Sequence, residues 1–127
     1  MVVLDSCIVI DILRNRGESP TKILVHPVWA VSTTTVGELI FGALNAGNPS
    51  KHVQNVELFV SKSKILNVTL DVAEAYARIR KQLKDIGKPI PENDIWIAAT
   101  AVAFDLKLIT KDDHFSRIEG MKVELWQ

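Results

Sequence analysis

Residues 91–104 read PENDIWIAATAVAF, and the segment from Ile95 onward is apolar on nearly every side. A helix with no polar face is normally buried all round. Residues 106–110, LKLIT, follow as a short apolar run that predicts a buried strand. Asp94 stands at the mouth of the helix, where desolvating a carboxylate is costly unless something pairs with it. The segment thus predicts a buried helix leading into a strand, with one charge to explain.

The alternation of strand and helix extends along the whole chain. Further strands are predicted at residues 2–5, 28–32, 65–70 and 122–126. One helix is predicted to begin near Ser6, which is its expected N-cap. Further helices are predicted over 33–47, 49–62 and 71–86, with a helical turn at 114–118. Asp71 and Glu74 form a capping-box pattern for the long helix. Strands that alternate with helices predict an α/β protein with a mostly parallel sheet of about five strands and helices on both faces.

The composition is that of an ordinary globular domain. The 127 residues predict one domain spanning 1–127, with 47% hydrophobic and 24% charged residues. Fifteen Lys plus Arg balance fifteen Asp plus Glu, which argues against bulk electrostatic binding to nucleic acid but allows a local basic face. No apolar run reaches the roughly 18 residues of a membrane span, and no signal peptide is visible. A single cysteine, Cys7, excludes an internal disulfide, so a cytoplasmic protein is expected.

Several chemistries are excluded because their motifs are absent. His26, His52 and His114 are scattered and Cys7 stands alone, so nothing indicates a zinc site. The glycine-rich nucleotide fingerprints and the GxSxG hydrolase motif are missing. His114 is expected to be a surface residue of a turn, and Cys7 a small buried residue.

Acidic residues fall where predicted strands end or predicted helices begin. In a parallel sheet these points share one edge, which is where α/β proteins bind ligands. Asp5 ends the first strand, and Asp112 follows the fourth. Glu38 lies in the predicted first turn of its helix, and Asp94 opens the apolar helix. The same edge is expected to hold four further acids: Asp71, Glu74, Glu92 and Asp113.

Each acid also has a purely structural interpretation, because helix starts favour carboxylates. Asp94 or Asn93 can cap the apolar helix, Glu38 completes a box begun at Thr35, and Asp5 suits an Asx turn. Asp5, Glu38 and Asp94 nevertheless differ from the other acids in having apolar flanks. Like charges in a weakly solvated cleft raise one another's pKa unless a cation neutralises them. A hard divalent ion such as Mg²⁺ or Mn²⁺ suits such carboxylates.

Four motifs in order resemble the PIN domain family, and within it the VapC-type ribonuclease toxins of toxin–antitoxin pairs. They are LDSCIVID near the N-terminus, TTTVGELIFGAL, PENDIWIAATA and LKLITKDDHF, and they span essentially the whole chain. The resemblance carries the family's acids to Asp5, Glu38, Asp94 and Asp112. The family often has Asn or Ser where this chain has Cys7, so this position departs from the pattern.

The resemblance implies a three-layer α/β/α fold and a Mg²⁺-dependent endoribonuclease that hydrolyses RNA phosphodiester bonds, with Mn²⁺ as a substitute ion. Asp5, Asp94 and Asp112 are then expected to be metal ligands. Glu38 is expected to be a further ligand or to orient the attacking water. Ser6 and Thr110 are candidates for hydrogen bonds that hold the metal ligands in place. The predicted site consists of these two residues and the four acids.

The resemblance also implies partners. Candidate RNA contacts are Arg14, Arg16, Arg78 and Lys111, each of which can equally be ordinary surface charge. A cognate antitoxin is expected to place an arginine among the acids, because its fork binds carboxylates bidentately. A homodimer is expected through the helices at 34–46 and 49–62, whose apolar residues are Leu39, Phe41, Leu44, Val56, Phe59 and Val60.

Other functions stay open at this point. One is a PIN-fold binding module without catalysis, and another is a PIN nuclease that acts in RNA processing or on DNA flaps. A phosphotransfer protein is disfavoured, because a haloacid dehalogenase-like phosphatase needs Asp-x-Asp, whereas Asp5 is followed by Ser6 and Cys7. A receiver domain needs a paired acidic start and a central phosphoacceptor aspartate, and neither is evident.

Overall fold

Five parallel strands form the central sheet of the computed structural model, which describes residues 1–127. The strands are β1 (Val2–Leu4), β2 (Trp29–Ser32), β3 (Lys64–Leu66), β4 (Lys107–Thr110) and β5 (Val123–Leu125). They lie in the order β3-β2-β1-β4-β5, with Val3 paired to Ala30 on one side and to Leu108 on the other. The chain builds outward from β1 to β3 and then returns to β4. The crevice between the ends of β1 and β4 is therefore a topological switch point, where open α/β sheets bind ligands.

Six α-helices accompany the sheet. They are α1 (Ser6–Arg14), α2 (Ser19–Lys22), α3 (Thr33–Leu44), α4 (Pro49–Ser61), α5 (Leu70–Asp85) and α6 (Glu92–Ala103). Short 3-10 helices cover Ile23–Val25 and Asp113–Arg117. None of the helices combines the length and the apolar character that a bilayer crossing requires.

The sheet separates two hydrophobic cores, because successive residues of a strand face opposite sides. Val3 belongs to the core formed with α5 and α6. Its neighbours Val2 and Leu4 belong to the core formed with α1, α3 and α4. Residues 97–101 of α6 are buried, as the sequence predicts, whereas Val102 near the end of the helix is 40% exposed. The predicted α/β/α layering is confirmed.

The third strand and the start of α5 differ from the prediction. β3 ends at Leu66, and the residues after it turn into α5 instead of continuing the strand to residue 70. Thr69 is the N-cap of α5, and its Oγ1 accepts a hydrogen bond of 3.2 Å from the Val72 N–H. The capping box assigned to Asp71 and Glu74 was therefore wrong, because Thr69, two residues before Asp71, already supplies the cap.

The apolar surface expected to form a homodimer is only partly available. Leu39, Val56 and Phe59 are buried in the core of the domain itself. Phe41 and Leu44 remain on the surface, 67% and 58% exposed. The expected interface is thus reduced to a narrower stripe on α3, and the homodimer stays a prediction.

Candidate metal centre

Asp5 lies at the end of β1 and is the N-cap of α1, a position that the sequence had assigned to Ser6. It is only 3% exposed. Its Oδ1 accepts a hydrogen bond from the Ser6 N–H at 2.8 Å, and its Oδ2 accepts one from the Thr110 hydroxyl at 2.7 Å. Burial raises the pKa of Asp5, these hydrogen bonds lower it, and the nearby Asp112 charge raises it further. Asp5 is therefore a buried carboxylate held in a fixed orientation.

Asp94 is the third residue of α6, and it does not cap the helix. The N-cap is Pro91, which has no side chain able to accept a hydrogen bond. Asp94 Oδ2 instead lies 2.9 Å from Nε2 of His114. Burial raises the pKa of Asp94, the Asp5 charge adds to this, and His114 acts in the opposite direction. The capping interpretation of Asp94 is thus wrong, although its place in the first turn still benefits from the helix dipole.

His114 joins the site, which the sequence did not predict. Its side chain is 20% exposed and packs against the ring of Phe115 at 4.7 Å between centroids. Its Nε2 atom is buried and close to Asp94, although outside hydrogen-bond geometry. The expectation of a surface turn residue was wrong, because the 3-10 helix after β4 turns this side chain back towards α6. Its spacing of two residues from Asp112 was the only signal that could have found it.

Glu38 is carried by α3 and faces the same cluster. Ser32 caps α3 by accepting a hydrogen bond of 3.0 Å from the Thr35 N–H, so Glu38 lies in the second turn and completes no capping box. Its Oε1 atom is buried and has no hydrogen-bond partner. Burial raises the pKa of Glu38, and the charges of Asp5 and Asp94 raise it further. A buried, unpartnered carboxylate oxygen is costly, and a bound cation or water would satisfy it.

Asp112 connects the two sides of the cluster. It follows β4, and its backbone N–H donates to Thr110 Oγ1 at 3.1 Å, while its own side chain is exposed. One ligand atom each from Asp94, Asp112 and His114 lie within 4.8 Å of one another, and so do those of Asp5, Cys7 and Asp112. Three of the four predicted acids thus belong to these groups, with Asp112 shared between the two. Glu38 lies outside both groups, but near enough for the charges of Asp5 and Asp94 to raise its pKa.

The donor set of this cluster fits a hard divalent cation. Carboxylate oxygens predominate, and a cation would satisfy the unpartnered Oε1 of Glu38. It would also offset the repulsion between the acids, which adds to burial in raising the pKa values of Asp5, Glu38 and Asp94. Cys7 is a poor ligand for such an ion, because hard divalent cations prefer oxygen donors to sulfur. Without a metal, burial and the Asp5 charge raise the pKa of the Cys7 thiol to about 11. Its Sγ lies 3.5 Å from Asp5 Oδ2, so Cys7 contacts the site as a neutral thiol.

The two residues expected to support the ligands do so in different ways. Thr110 behaves as expected, since its hydroxyl donates to Asp5 and accepts from the Asp112 N–H. Ser6 supports Asp5 through its backbone N–H. The Ser6 side chain acts on Glu38 instead, where it lowers the pKa against the dominant effect of burial.

The other acids that the sequence placed on this edge do not join the cluster. Asp71 and Glu74 line a pocket with Val102, near the C-terminal end of α6 and thus at the opposite end of that helix from Asp94. Glu92 accepts a hydrogen bond from Tyr76. Asp113 begins the 3-10 helix and is exposed.

Three of the four basic residues proposed as RNA contacts are paired with acids. Lys111 and Arg16 both contact Asp11, at 2.7 and 3.6 Å. Arg78 pairs with Glu74 on the exposed face of α5, far from the acidic cluster. Arg14 makes no ion pair and lines a groove that also contains Glu38. Of the four, Arg14 is the residue that is free to meet a phosphate near the site.

This groove lies between α1, α3 and α4 and has a volume of about 130 Å³. It is lined by Ile10, Leu13, Arg14, Glu38, Leu39, Gly42, Ala43, Ala46, His52, Asn55 and Val56. Its walls are mostly apolar, and the Glu38 carboxylate stands among them. Glu38 therefore borders both the acidic cluster and a mostly apolar groove.

Comparison with known proteins places the chain in a family. A sequence model of the PIN domain matches residues 2–121. The chain belongs to the PIN domain family. Ribonuclease VapC2 of Haemophilus influenzae is 33% identical to this PIN domain over 98% of the chain and 96% of its own length.

Solved structures of VapBC complexes contain chains with the same fold. The DNA-bound VapBC complex of Salmonella typhimurium contains a chain that superposes with a TM-score of 0.92 at 27% identity, covering 100% of both chains. VapBC-5 of Mycobacterium tuberculosis, a member of the VapBC family of toxin–antitoxin systems, gives a TM-score of 0.76 at 28% identity, over 99% of this PIN domain and 97% of that chain.

Replacing Asp94 by asparagine separates a structural role from metal binding. Because the Asp94 carboxylate is partly buried among like charges, we expect metal-free Asp94→Asn to melt at or above the temperature of the metal-free parent. We expect the rise in melting temperature on adding Mg²⁺ or Mn²⁺ to be lost, because a ligand stabilises the fold only as far as it binds. Differential scanning fluorimetry measures both quantities.

Asp71→Asn is the matched control, because Asp71 has the same charge at a helix start but lies outside the cluster. It should keep the full metal response. A metal-free Asp94→Asn variant that melts well below the parent, or one that responds to metal like the parent, would contradict the assignment.

Proposed function

We propose that this PIN domain is a divalent-metal-dependent endoribonuclease and the toxin of a toxin–antitoxin pair. The observation that carries the proposal is the convergence of Asp5, Glu38, Asp94 and Asp112 at the switch point of the sheet. Ribonuclease VapC2, which is 33% identical over nearly the whole chain, supports RNA as the substrate. The RNA substrate and the free thiol of Cys7 both suit the cytoplasm.

The cluster assigns distinct tasks to its residues. Asp5, Asp94 and Asp112 would hold the ion, with Mg²⁺ as the resident metal and Mn²⁺ as its substitute. When bound, such an ion would supply an activated water and would neutralise charge that develops on the scissile phosphate. Glu38, whose pKa is raised and whose Oε1 has no partner, is suited to orient this water and accept its proton. Thr110 keeps Asp5 in the orientation that the ligand set requires.

One of the four candidate RNA contacts is suited to hold the substrate near this cluster. Arg14 is the one candidate that is both exposed and unpaired near Glu38. A phosphate contact from Arg14 would position the RNA without reading its sequence. Recognition of a particular RNA then rests on its shape and on groups of the protein that meet unpaired bases.

Two other functions compete with this proposal. A binding module without catalysis would have no use for an orphaned carboxylate oxygen among three further acids, which disfavours it. A PIN nuclease that works in RNA processing outside a toxin–antitoxin pair would use the same chemistry. The matched chains of VapBC complexes align with this chain over nearly the full length of each, and this supports the toxin assignment over the alternative.

A cognate antitoxin would bind the groove between α1, α3 and α4 and reach the acids from there. The groove offers apolar walls for a helix or an extended segment, and it contains Glu38. An arginine carried by that segment would pair with the acids bidentately and replace the charge of the metal. Inhibition would then combine occupation of the cluster with exclusion of the RNA.

The nuclease activity is tested with purified protein and RNA. We expect cleavage that requires Mg²⁺ or Mn²⁺ and stops when EDTA is added. Glu38→Gln should lower the cleavage rate by about 100-fold or more, because general-base catalysis typically contributes at least that factor. Gel analysis of labelled RNA under single-turnover conditions measures the rate.

Glu74→Gln removes an equivalent charge from an exposed ion pair with Arg78 and serves as the control. It should cleave like the parent. Cleavage that survives EDTA, or that is equal in the Glu38→Gln variant and the parent, would show that the acidic cluster is not the source of the activity.

The antitoxin site is tested by filling the groove away from the acids. Ala46 lines the groove beyond the end of α3, so Ala46→Trp should obstruct an inserted segment while leaving the cluster intact. We expect affinity for the protein encoded by the adjacent reading frame to fall at least about tenfold, because a buried aromatic clash removes well-packed contacts. RNA cleavage should persist. Ala46→Ser is the control, and equal affinity of both variants would place the antitoxin elsewhere.

A further inference from the structure

Asp11 is a buried acid that the metal centre does not use. It lies in the middle of α1 among apolar residues and is only 3% exposed. Its Oδ2 is 2.7 Å from Lys111 Nζ, and its Oδ1 is 3.6 Å from the guanidinium of Arg16. A carboxylate so deeply buried needs a partner, because desolvating an unpaired charge is very costly. Lys111 is therefore held to α1 by a short ion pair.

Lys111 occupies a particular place in the chain, between two residues of the candidate metal centre. Thr110 before it donates a hydrogen bond to Asp5, and Asp112 after it carries an expected ligand carboxylate. Asp5 is the N-cap of α1, and Asp11 lies further along the same helix. Two contacts thus hold the segment 110–112 to α1. The Thr110 hydroxyl bonds to Asp5, the N-cap of the helix, and the Lys111 ammonium pairs with Asp11.

Asp112 depends on this fastening for its position. Its side chain is exposed and accepts no hydrogen bond from any other side chain or backbone group, so no contact of its own fixes its carboxylate. Its place beside Asp94 and His114 follows from the course of the backbone from Thr110 to Asp112. Metal ligands held loosely bind their ion more weakly, since a site must be held close to its productive geometry.

We propose that the Asp11–Lys111 ion pair is a positioning device that sets Asp112 for metal binding. The inference rests on the proposed metal-dependent function, because it concerns the same cluster. It also changes the role of Lys111, whose ammonium is committed to Asp11 instead of being free for RNA. Asp11 and Lys111 are positioning residues in this account, since neither contacts the metal or the substrate.

The pair is tested by isothermal titration of MnCl₂ into the purified full-length protein. Lys111→Met removes the ammonium while keeping most of the side-chain volume, and Asp11 retains Arg16 as a partner. We expect the dissociation constant for Mn²⁺ to rise about tenfold, the lower end of the range for residues that support metal ligands. Lys111→Arg should keep the ion pair and bind Mn²⁺ like the parent.

Arg16→Met is the matched control, because it removes the other cation beside Asp11 without touching the segment 110–112. It should leave the dissociation constant for Mn²⁺ unchanged. If Lys111→Met fails to fold, the double variant Asp11→Asn with Lys111→Gln replaces the ion pair by an amide hydrogen bond. This double variant should bind Mn²⁺ within about threefold of the parent, because the fastening is kept, and clearly weaker binding would overturn the proposal.

Three other results would also overturn the proposal. A Lys111→Met variant with a lower melting temperature and an unchanged dissociation constant for Mn²⁺ would show a purely structural pair. An unchanged dissociation constant with a raised KM for RNA would make Lys111 an RNA contact. A parent protein that binds no Mn²⁺ would overturn the proposed function, and this inference would fall with it.

Discussion

The hydrogen bond from the Thr110 hydroxyl to Asp5 is the contact around which the candidate site is built. It spans 2.7 Å and joins the ends of two adjacent strands, β1 and β4, at the point where the order of the sheet changes direction. The Asp5 N–H also donates to the Ile109 carbonyl at 3.0 Å, which continues the ladder between these strands into the site. Asp5 is therefore fixed in both backbone and side chain, and the acids from α3, α6 and the segment after β4 assemble around it.

This assembly has an electrostatic consequence. Burial and neighbouring like charges raise the pKa values of Asp5, Glu38 and Asp94 above those of ordinary carboxylic acids. In the metal-free protein the stability linked to these groups is present below the ordinary carboxylate pKa and is lost as the pH rises through their raised values. A cation that binds the ionised carboxylates reverses this loss. The fold thus tolerates the cluster at neutral pH at a cost that metal binding offsets.

Most of the architecture follows from local patterns in the sequence. The strands were predictable because β1, β2 and β4 are short apolar runs, and α6 because a helix that is apolar on nearly every side after its first turn is largely buried. The edge strand β3 was predicted too long, because the cap supplied by Thr69 resembles a continuing strand in the sequence. Patterns of apolar residues therefore identify elements more reliably than the residues at which they end.

The site was predictable in part. Strand ends and helix starts placed many acids on one edge, and the resemblance to PIN domains selected four from among them. Glu38 Oε1, His114 and Asp11 show what the sequence could not supply, because an orphaned oxygen, a close approach to Asp94 and a buried ion pair are properties of three-dimensional packing. No spacing rule relates Asp11 to Lys111, since the two residues lie a hundred positions apart.

The central claim is that the acids of this cluster carry raised pKa values that metal binding brings down. Proton release on binding tests it most directly, measured by titrating MnCl₂ calorimetrically in buffers of different ionisation enthalpy. The account predicts that protons are still released above the ordinary titration range of carboxylic acids, and that this release declines towards zero as the pH rises further. Metal binding that releases no protons above the ordinary range would show that the carboxylates are already ionised there without metal and would contradict the account.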